Sequence, residues 1–264
     1  MPVITLTSDY GLQDPYLAAV KGALYSLLPD VTLCDISHQI EPGNLMQAQF
    51  IFKSSYNFFP SGTVHLVLVK EIVRSKRWLA AKIKDQFIIT SDSGFLSLLT
   101  TQTRPAEVIE ISLPQEQPLF PGRDFLAKAA THLARGGALS MIGRTTEKWA
   151  LSTLPKQFYE SERNRMVGHV IYIDNFGNVV TNITWAEFSK YAGQQQVRID
   201  LPGRQTISAI LNNYHEARAG EIIALFGAEG HLELALVEPR GKQFNGANSM
   251  LGLNIGNTLT VTFT

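Results

Sequence analysis

Four short stretches carry side chains able to do chemistry. Asp9, in TSDYG, stands at the end of the strand-like run Val3–Ser8. A carboxylate there can accept two hydroxyl hydrogen bonds at once, which suits a ribose diol. With Gly11 and Asp14 following, it equally suits a helix cap or turn. DNFGNVVTN, residues 174–182, sets two amides and a glycine around one aromatic, Phe176. Such a turn can present polar groups beside a stacking ring, and the amide of Asn178 matches the donor–acceptor edge of adenine. It is also a good β-turn sequence in any protein. FPGRDF places Gly122 and Arg123 at a helix N-terminus. Free N–H groups there favour an anion or a carbonyl-like oxygen, and the plain alternative is a proline-started helix. Last, the apolar run VHLVLV gives way to KEIVRSKR, with Lys70, Arg74, Lys76 and Arg77 around one carboxylate, Glu71. This is either a solvated turn or the rim of a site where charge is handled.

Much is excluded by what the chain lacks. Six histidines occur and no pair has metal-ligand spacing; His65 and His169 lie in strand patterns and His132 in a helix, so structural roles are expected for most. There is no Walker loop, no G-x-S-x-G and no glycine-rich fingerprint after the first strand, which argues against an NTPase, an α/β-hydrolase and a conventional dinucleotide enzyme. Cys34 is the single cysteine, in apolar VTLCDI, and reads as a small buried residue; no disulfide or thiolate metal site can be built from it. Lys plus Arg equals Asp plus Glu at 23 each, so no global field draws in nucleic acid or an anionic membrane. No stretch approaches the ~20 apolar residues that span a bilayer, and no basic leader precedes an apolar core, so a soluble cytoplasmic protein is expected.

The elements that must hold these residues follow from hydrophobic period. Strand-like VITLTS precedes a run in which Leu17, Val20, Leu24 and Leu27 share one helical face. VTLCDIS, TVHLVLV, WLAAKIK, QFIITS and EVIEI read as further strands. NLMQAQFIFKSSYNFF, GFLSLLTTQ and RDFLAKAATHLARGG read as helices, the last stopped by Gly136 and Gly137. Strands alternating with helices predict a layered α/β domain with a mostly parallel sheet over residues 1–155. Ligands of such sheets bind beyond the carboxyl ends of strands, where Asp9 and the loop at Lys70 lie. SERNR is polar and predicts a linker over 156–166. Short alternating runs from Val167 onward predict a small all-β, barrel-like domain over 167–264.

Six ordered motifs together resemble the enzymes that cleave S-adenosylmethionine (SAM) at its ribose 5′ carbon, the SAM hydroxide adenosyltransferases and the SAM-dependent fluorinase and chlorinase. They are SDYGLQDPYLAAVKG, DISHQIEP, FPSGTVH, FPGRDF, DNFGNVVTNI and GAEGHLELA, and they span nearly the whole chain. The resemblance implies an α/β domain followed by a small β domain, and a homotrimer with SAM held between subunits. It implies that Asp9 binds the ribose hydroxyls, and that Asp174 faces the ammonium of the methionine part. Asn178 and the backbone near Ala247 would recognise adenine beside Phe176. Gly122 would help bind the substrate, and Ala228 and Glu229 would lie at the methionine end. SAM would be substrate or ligand, with no cofactor or metal. The reaction is in-line displacement at C5′ by a stripped and aligned nucleophile.

The resemblance also assigns the cationic loop. The hydrolytic branch orients its water with an Asp and an Arg from V-D-P-G-V-G-x-x-R-R and a His from F-H-G-R-D. Here Lys70 stands at the Asp, Arg77 falls on the first Arg and Pro121 replaces the His. An ammonium ~5 Å from a sulfonium, at an effective dielectric of ~20, repels it by roughly 3 kcal/mol. Several outcomes are open: a dead or merely solvated loop, Glu71 replacing the Asp by a one-residue shift, Lys70 made a base by burial, or an anionic nucleophile held by Lys70. The expected function is adenosine-forming SAM hydrolysis with Arg77, Lys70 and Glu71 as catalytic candidates; the alternative is a SAM- or adenosine-binding homologue without turnover.

Overall fold

The computed structural model describes residues 1–72, 76–101, 103–112, 118–193, 195–201, 205–238 and 246–264. The chain divides into two compact units, Met1–Leu154 and Pro155–Thr264.

In the first unit a seven-stranded sheet is built from β1 (Val3–Ser8), β2 (Thr32–Ser37), β3 (Val64–Leu68), β4 (Trp78–Ile83), β5 (Gln86–Ser91), β6 (Glu107–Ile111) and β7 (Gly143–Thr145), in the order β2-β1-β3-β5-β4-β6-β7. Leu17, Val20 and Leu24 of α1 (Tyr16–Leu27) pack with Leu126 and Leu133 against Ile4, Leu66 and Leu68. On the other face α2 (Leu45–Tyr56) and α3 (Phe95–Leu99) bury Phe52 and Phe95 against Val67, Leu79 and Ile88. Even and odd positions of β3 therefore feed opposite layers, as the two-residue period of a strand requires.

Three features depart from the sequence reading of this unit. The sheet is half parallel, not mostly so: β1–β2, β1–β3 and β3–β5 pair parallel, while β4–β5, β4–β6 and β6–β7 pair antiparallel. The tight Lys84-Asp85 turn, with Lys84 at φ 53°, can only return the chain antiparallel and so accounts for the β4–β5 pair. Cys34 is half-buried rather than buried, because β2 is an edge strand. The helix after Pro121 opens as a π-helical segment, Gly122–Leu126, before α4 (Ala127–Ala134).

The second unit holds β8 (Phe158–Glu160), β9 (Arg165–Ile173), β10 (Val179–Thr184), β11 (Val197–Asp200), β12 (Thr206–Ile207), β13 (Ile210–Leu211), β14 (Ile222–Phe226), β15 (His231–Leu236) and β16 (Thr258–Phe263). They run β12-β11-β16-β9-β10-β15-β14-β13, and β8 pairs with β9. The two end strands follow each other in the chain, so three peptide steps, at most ~11 Å, separate Ile207 from Ile210 and nearly close a barrel. The stretch 156–166 is no linker: Phe158, Tyr159 and Glu160 pair with Val167, Met166 and Arg165 around a turn in which Asn164 is left-handed. Nor is the unit all-β. The α5 helix (Trp185–Ala192) is capped by Thr184, whose side chain accepts from Glu187 N–H, and it buries Phe188; α6 (Ala247–Leu251) follows Gly246.

Candidate functional site

In the first unit, β2 and β3 flank β1, so the chain leaves β1 in opposite directions; the carboxyl ends of β1 and β3 are the switch point at which ligands of such sheets bind. Ser8 pairs with Leu68, which sets Asp9 beside Lys70. Asp9 Oδ2 accepts from the backbone N–H of Gly43 at 2.8 Å and of Lys70 at 3.0 Å. Every described hydrogen bond to this carboxylate ends on Oδ2, so Oδ1 is the oxygen left for a ligand. The turn is braced from behind. His38, itself buried, bonds Ser8 Oγ through Nδ1 at 2.7 Å, and its carbonyl accepts from Gly11 N–H at 2.8 Å. The expectation of a structural role fits His38 and also His65, whose Nδ1 meets Thr5 Oγ1 at 2.7 Å inside the core.

The cationic loop turns its two leading residues in opposite directions. Lys70 is left-handed at φ 51°, with its N–H on Asp9 and its carbonyl accepting from Ser91 Oγ at 2.9 Å. Its side chain is exposed, so the expected base made by burial finds no burial. Glu71 is 7% exposed and points inward, where Oε2 accepts from the Tyr10 hydroxyl. Burial pushes the Glu71 carboxyl up to about 7, and Asp9 and Asp124 add to the rise; donation by Tyr10 and the Gly122 amide works the other way. The same burial and the facing Glu71 raise the Tyr10 hydroxyl above its ordinary range. Residues 73–75 of the loop lie outside the described residues.

Gly122 is buried against this pair. A Cβ there would come within 2.9 Å of the Tyr10 hydroxyl and 3.2 Å of Glu71 Oε1, so only glycine lets the helix start approach so closely. Pro121, also buried, caps the segment and offers neither an N–H nor a titratable group. Arg77 is drawn elsewhere. Its Nε meets Glu110 and its Nη1 meets Asp92, both at 2.8 Å, and Nη2 reaches the Lys148 carbonyl at 3.0 Å. None of its described hydrogen bonds goes to Asp9 or Glu71.

In the second unit, Asp174 Oδ1 accepts from Phe176 N–H at 2.9 Å and Asn178 N–H at 2.8 Å, and Oδ2 from the Asn178 amide at 2.9 Å. This closed turn holds Asn178 in place and leaves Phe176 65% exposed, a free aromatic face. Ala247 is buried beside it, where Asn248 N–H reaches the Gly177 carbonyl at 2.9 Å. Ala228 and Glu229 are exposed on the turn between β14 and β15. Glu233 lies under that turn. Burial, then Asp174 and Glu229, push its carboxyl up to about 7. A Cβ on Gly227 would collide with it.

Two residues were not singled out from the sequence although both lie in quoted motifs. Tyr10 lies between Asp9 and Gly11, which drew the chemical reading of that stretch, and Glu233 sits in an alternating strand whose polar positions read as solvent-facing. Among the described residues no group of three His, Cys, Asp or Glu could hold a metal ion, and no helix is long and apolar enough to cross a membrane.

The first unit is thus of the α/β class with a clamped carboxylate at its switch point, and the second is a β unit with an Asp–Asn turn beside an exposed ring. Known proteins narrow this. Residues 4–143 match the SAM hydroxide adenosyltransferase N-terminal domain and residues 168–260 its C-terminal domain. The chain belongs to the SAM hydroxide adenosyltransferase family. It is 27% identical to an (R)-S-adenosyl-L-methionine hydrolase of Thermus thermophilus, over 97% of this chain and 98% of that one. It is 28% identical to a fluorinase of Nocardia brasiliensis, over 89% and 90%. An uncharacterized conserved protein of Thermotoga maritima has the same fold, with a TM-score of 0.86 and 28% identity over 98% of this chain and 99% of that one.

Proposed function

We propose that this chain hydrolyses SAM to adenosine and methionine. The observation that carries the reading is the pairing of roles at the carboxyl ends of β1 and β3: Asp9, clamped through Oδ2 with Oδ1 left over, beside an inward carboxyl, Glu71, while Lys70 faces solvent. Asp9 would hold the ribose diol. Glu71 would stand in for the aspartate that the resemblance places at Lys70, since the loop turns it inward one residue later. With the ammonium of Lys70 outward, its repulsion of a sulfonium falls toward the bulk-water value of ~1 kcal/mol or less. In the second unit, the acidic group of Asp174, Glu229 and Glu233 suits the ammonium of the methionine part, and the Phe176–Asn178 turn suits adenine. SAM enters as substrate, with no cofactor, and assembly as a homotrimer belongs to the same proposal; light scattering checks it.

Pure protein incubated with SAM and resolved by chromatography gives adenosine above a heat-killed control if this reading holds. Parallel runs with fluoride or chloride, scored for a 5′-halogenated adenosine, ask whether water is the nucleophile. A second reading, binding without turnover, is favoured by Pro121 and by the engagement of Arg77 with Asp92 and Glu110. Calorimetry with SAM and with adenosine decides it: binding without adenosine formation supports it, and no binding removes both readings.

A further inference from the structure

We propose that Tyr10 and Glu71 act as one unit in which Glu71 takes the proton of the attacking water and Tyr10 is the positioning residue that aims its carboxylate. The inference rests on the hydrolytic reading above and adds to it the device that replaces the missing Asp and His.

The geometry is specific to these residues. Tyr10 donates to Glu71 Oε2 across 61 positions of sequence. Its ring is fixed in a three-ring cluster, with centroids 6.1 Å from Tyr16 and 5.7 Å from Phe120, and Tyr16 and Phe120 5.8 Å apart. The hydroxyl therefore has little freedom, and neither has the carboxylate it holds. Glu71 Oε1 has no hydrogen-bond partner of normal geometry; it packs toward Gly122, whose amide favours the charged form without closing such a bond. A buried carboxyl with one oxygen held and one unsatisfied is costly to keep for structure alone. It is what a base needs: one oxygen oriented, the other, though buried, without a partner and so able to accept a proton.

The described neighbouring groups are engaged or turned elsewhere, and the free Oδ1 of Asp9 is the oxygen assigned to the ribose diol. Asp9 spends Oδ2 on the backbone of Gly43 and Lys70. Asp124 is ion-paired to Arg123 at 2.6 Å, and Pro121 cannot titrate. His38 is bonded to Ser8, behind the turn. Lys70 is exposed. Of the charges that face Glu71, Asp9 and Asp124 both favour its protonated form, and Tyr10 and the Gly122 amide oppose them. The resulting proton affinity, near neutrality, matches a base that must take a proton at ordinary pH and then release it.

The step balances. The water oxygen forms a bond to C5′ as the C5′–S bond breaks. That bonding pair passes to sulfur, which loses its positive charge and leaves as the thioether of methionine. One water proton moves to Glu71 Oε1, the other stays as the adenosine 5′-hydroxyl, and Glu71 later yields its proton to solvent.

The test uses Tyr10→Phe, which keeps the ring packing, and Glu71→Gln. Expected for Tyr10→Phe is a fall in kcat of about 10–100-fold with KM for SAM changed by no more than about 3-fold. The acid limb of its kcat–pH profile shifts upward, because the donor that favoured the carboxylate is gone. Glu71→Gln loses that limb altogether. A second readout needs no turnover: the infrared band of the protonated Glu71 carboxyl, identified by its loss in Glu71→Gln, titrates near neutrality in the wild type and higher in Tyr10→Phe. Adenosine from the wild type with limb and band unmoved in Tyr10→Phe overturns the pair alone. No adenosine from the wild type overturns the hydrolytic reading, and the base role with it, even if the band moves.

Discussion

A carboxyl held near pKa 7 destabilises the fold once it ionises, and that cost can be measured at Glu71. Its pKa rises from 4.5 to about 7 on folding. At about 1.4 kcal/mol per pH unit this is about 3 kcal/mol. The folded chain binds the Glu71 proton more tightly than the unfolded chain. The stabilisation is therefore fully present below pH 4.5 and is lost as pH rises through about 7. Replacing Glu71 by Gln removes the titration. The buried amide costs stability of its own, but equally at every pH, so it cancels from the slope. His65, held by burial at about 4, bends the curve the opposite way in both proteins and cancels too. Trp78 and Trp149 report the first unit, and a Trp185→Phe background silences the second. Urea unfolding of this unit at pH 5 and pH 8 should show the wild type losing about 2–3 kcal/mol more than Glu71→Gln across that interval. Parallel pH dependence in the two proteins would refute the claim that Glu71 is buried and destabilised by charge.

Other variants probe the remaining groups. Arg77→Met leaves the buried Asp92 without its cation and should destabilise the first unit by about 3–5 kcal/mol in urea, and a loss below 1 would mean the network is not the anchor it looks. Asp9→Asn should weaken adenosine binding by about 10–100-fold in calorimetry, since a charge-assisted acceptor is lost, and an unchanged Kd would remove Asp9 from the ligand site. Lys70→Gly relieves a left-handed residue at φ 51° and should raise the urea midpoint, equivalent to about 0.5–1 kcal/mol, without weakening SAM binding; weaker binding would return the Lys70 side chain to the site.

What the sequence made legible was whatever depends on local pattern. The strand ending at Asp9 was legible because its apolar run stops at TSDYG. The α1 face of Leu17, Val20 and Leu24 was legible from its spacing. The direction of Glu71 was not. It is set by the backbone angle at Lys70 and by a hydrogen bond to Asp9, 61 residues away, and neither has a signature in the loop itself. Arg77 was read as a water-handling residue because it falls on the first Arg of the family loop; its partners Asp92 and Glu110 arrive from two other strand ends and leave no mark on that stretch. The antiparallel β4–β5 pair was there to be read in the Lys84-Asp85 turn, but alternation of strands and helices outweighed it. Glu233 was hidden for a different reason: its strand alternates correctly, and only the carboxylates of Asp174 and Glu229 nearby make it unusual.

A base that is about half protonated at neutrality raises the question of how it becomes ready, and the substrate's own charge supplies an answer. A sulfonium ~5 Å from Glu71, at an effective dielectric of ~20, favours the carboxylate by roughly 3 kcal/mol, equivalent to ~2 pH units. The Glu71 carboxyl, at about 7 in the free protein, would then fall to about 5 when SAM is bound. Binding at pH 6.5 should therefore release about 0.7 proton, the difference between the protonated fractions before and after. Calorimetry in two buffers of different ionisation enthalpy reads this number directly. Adenosine, which has no sulfonium, should release almost none, and Glu71→Gln should release almost none with either ligand. Equal proton release by SAM and adenosine would mean that the sulfonium lies far from Glu71, and the assignment of that carboxyl to the reacting end would fall with it.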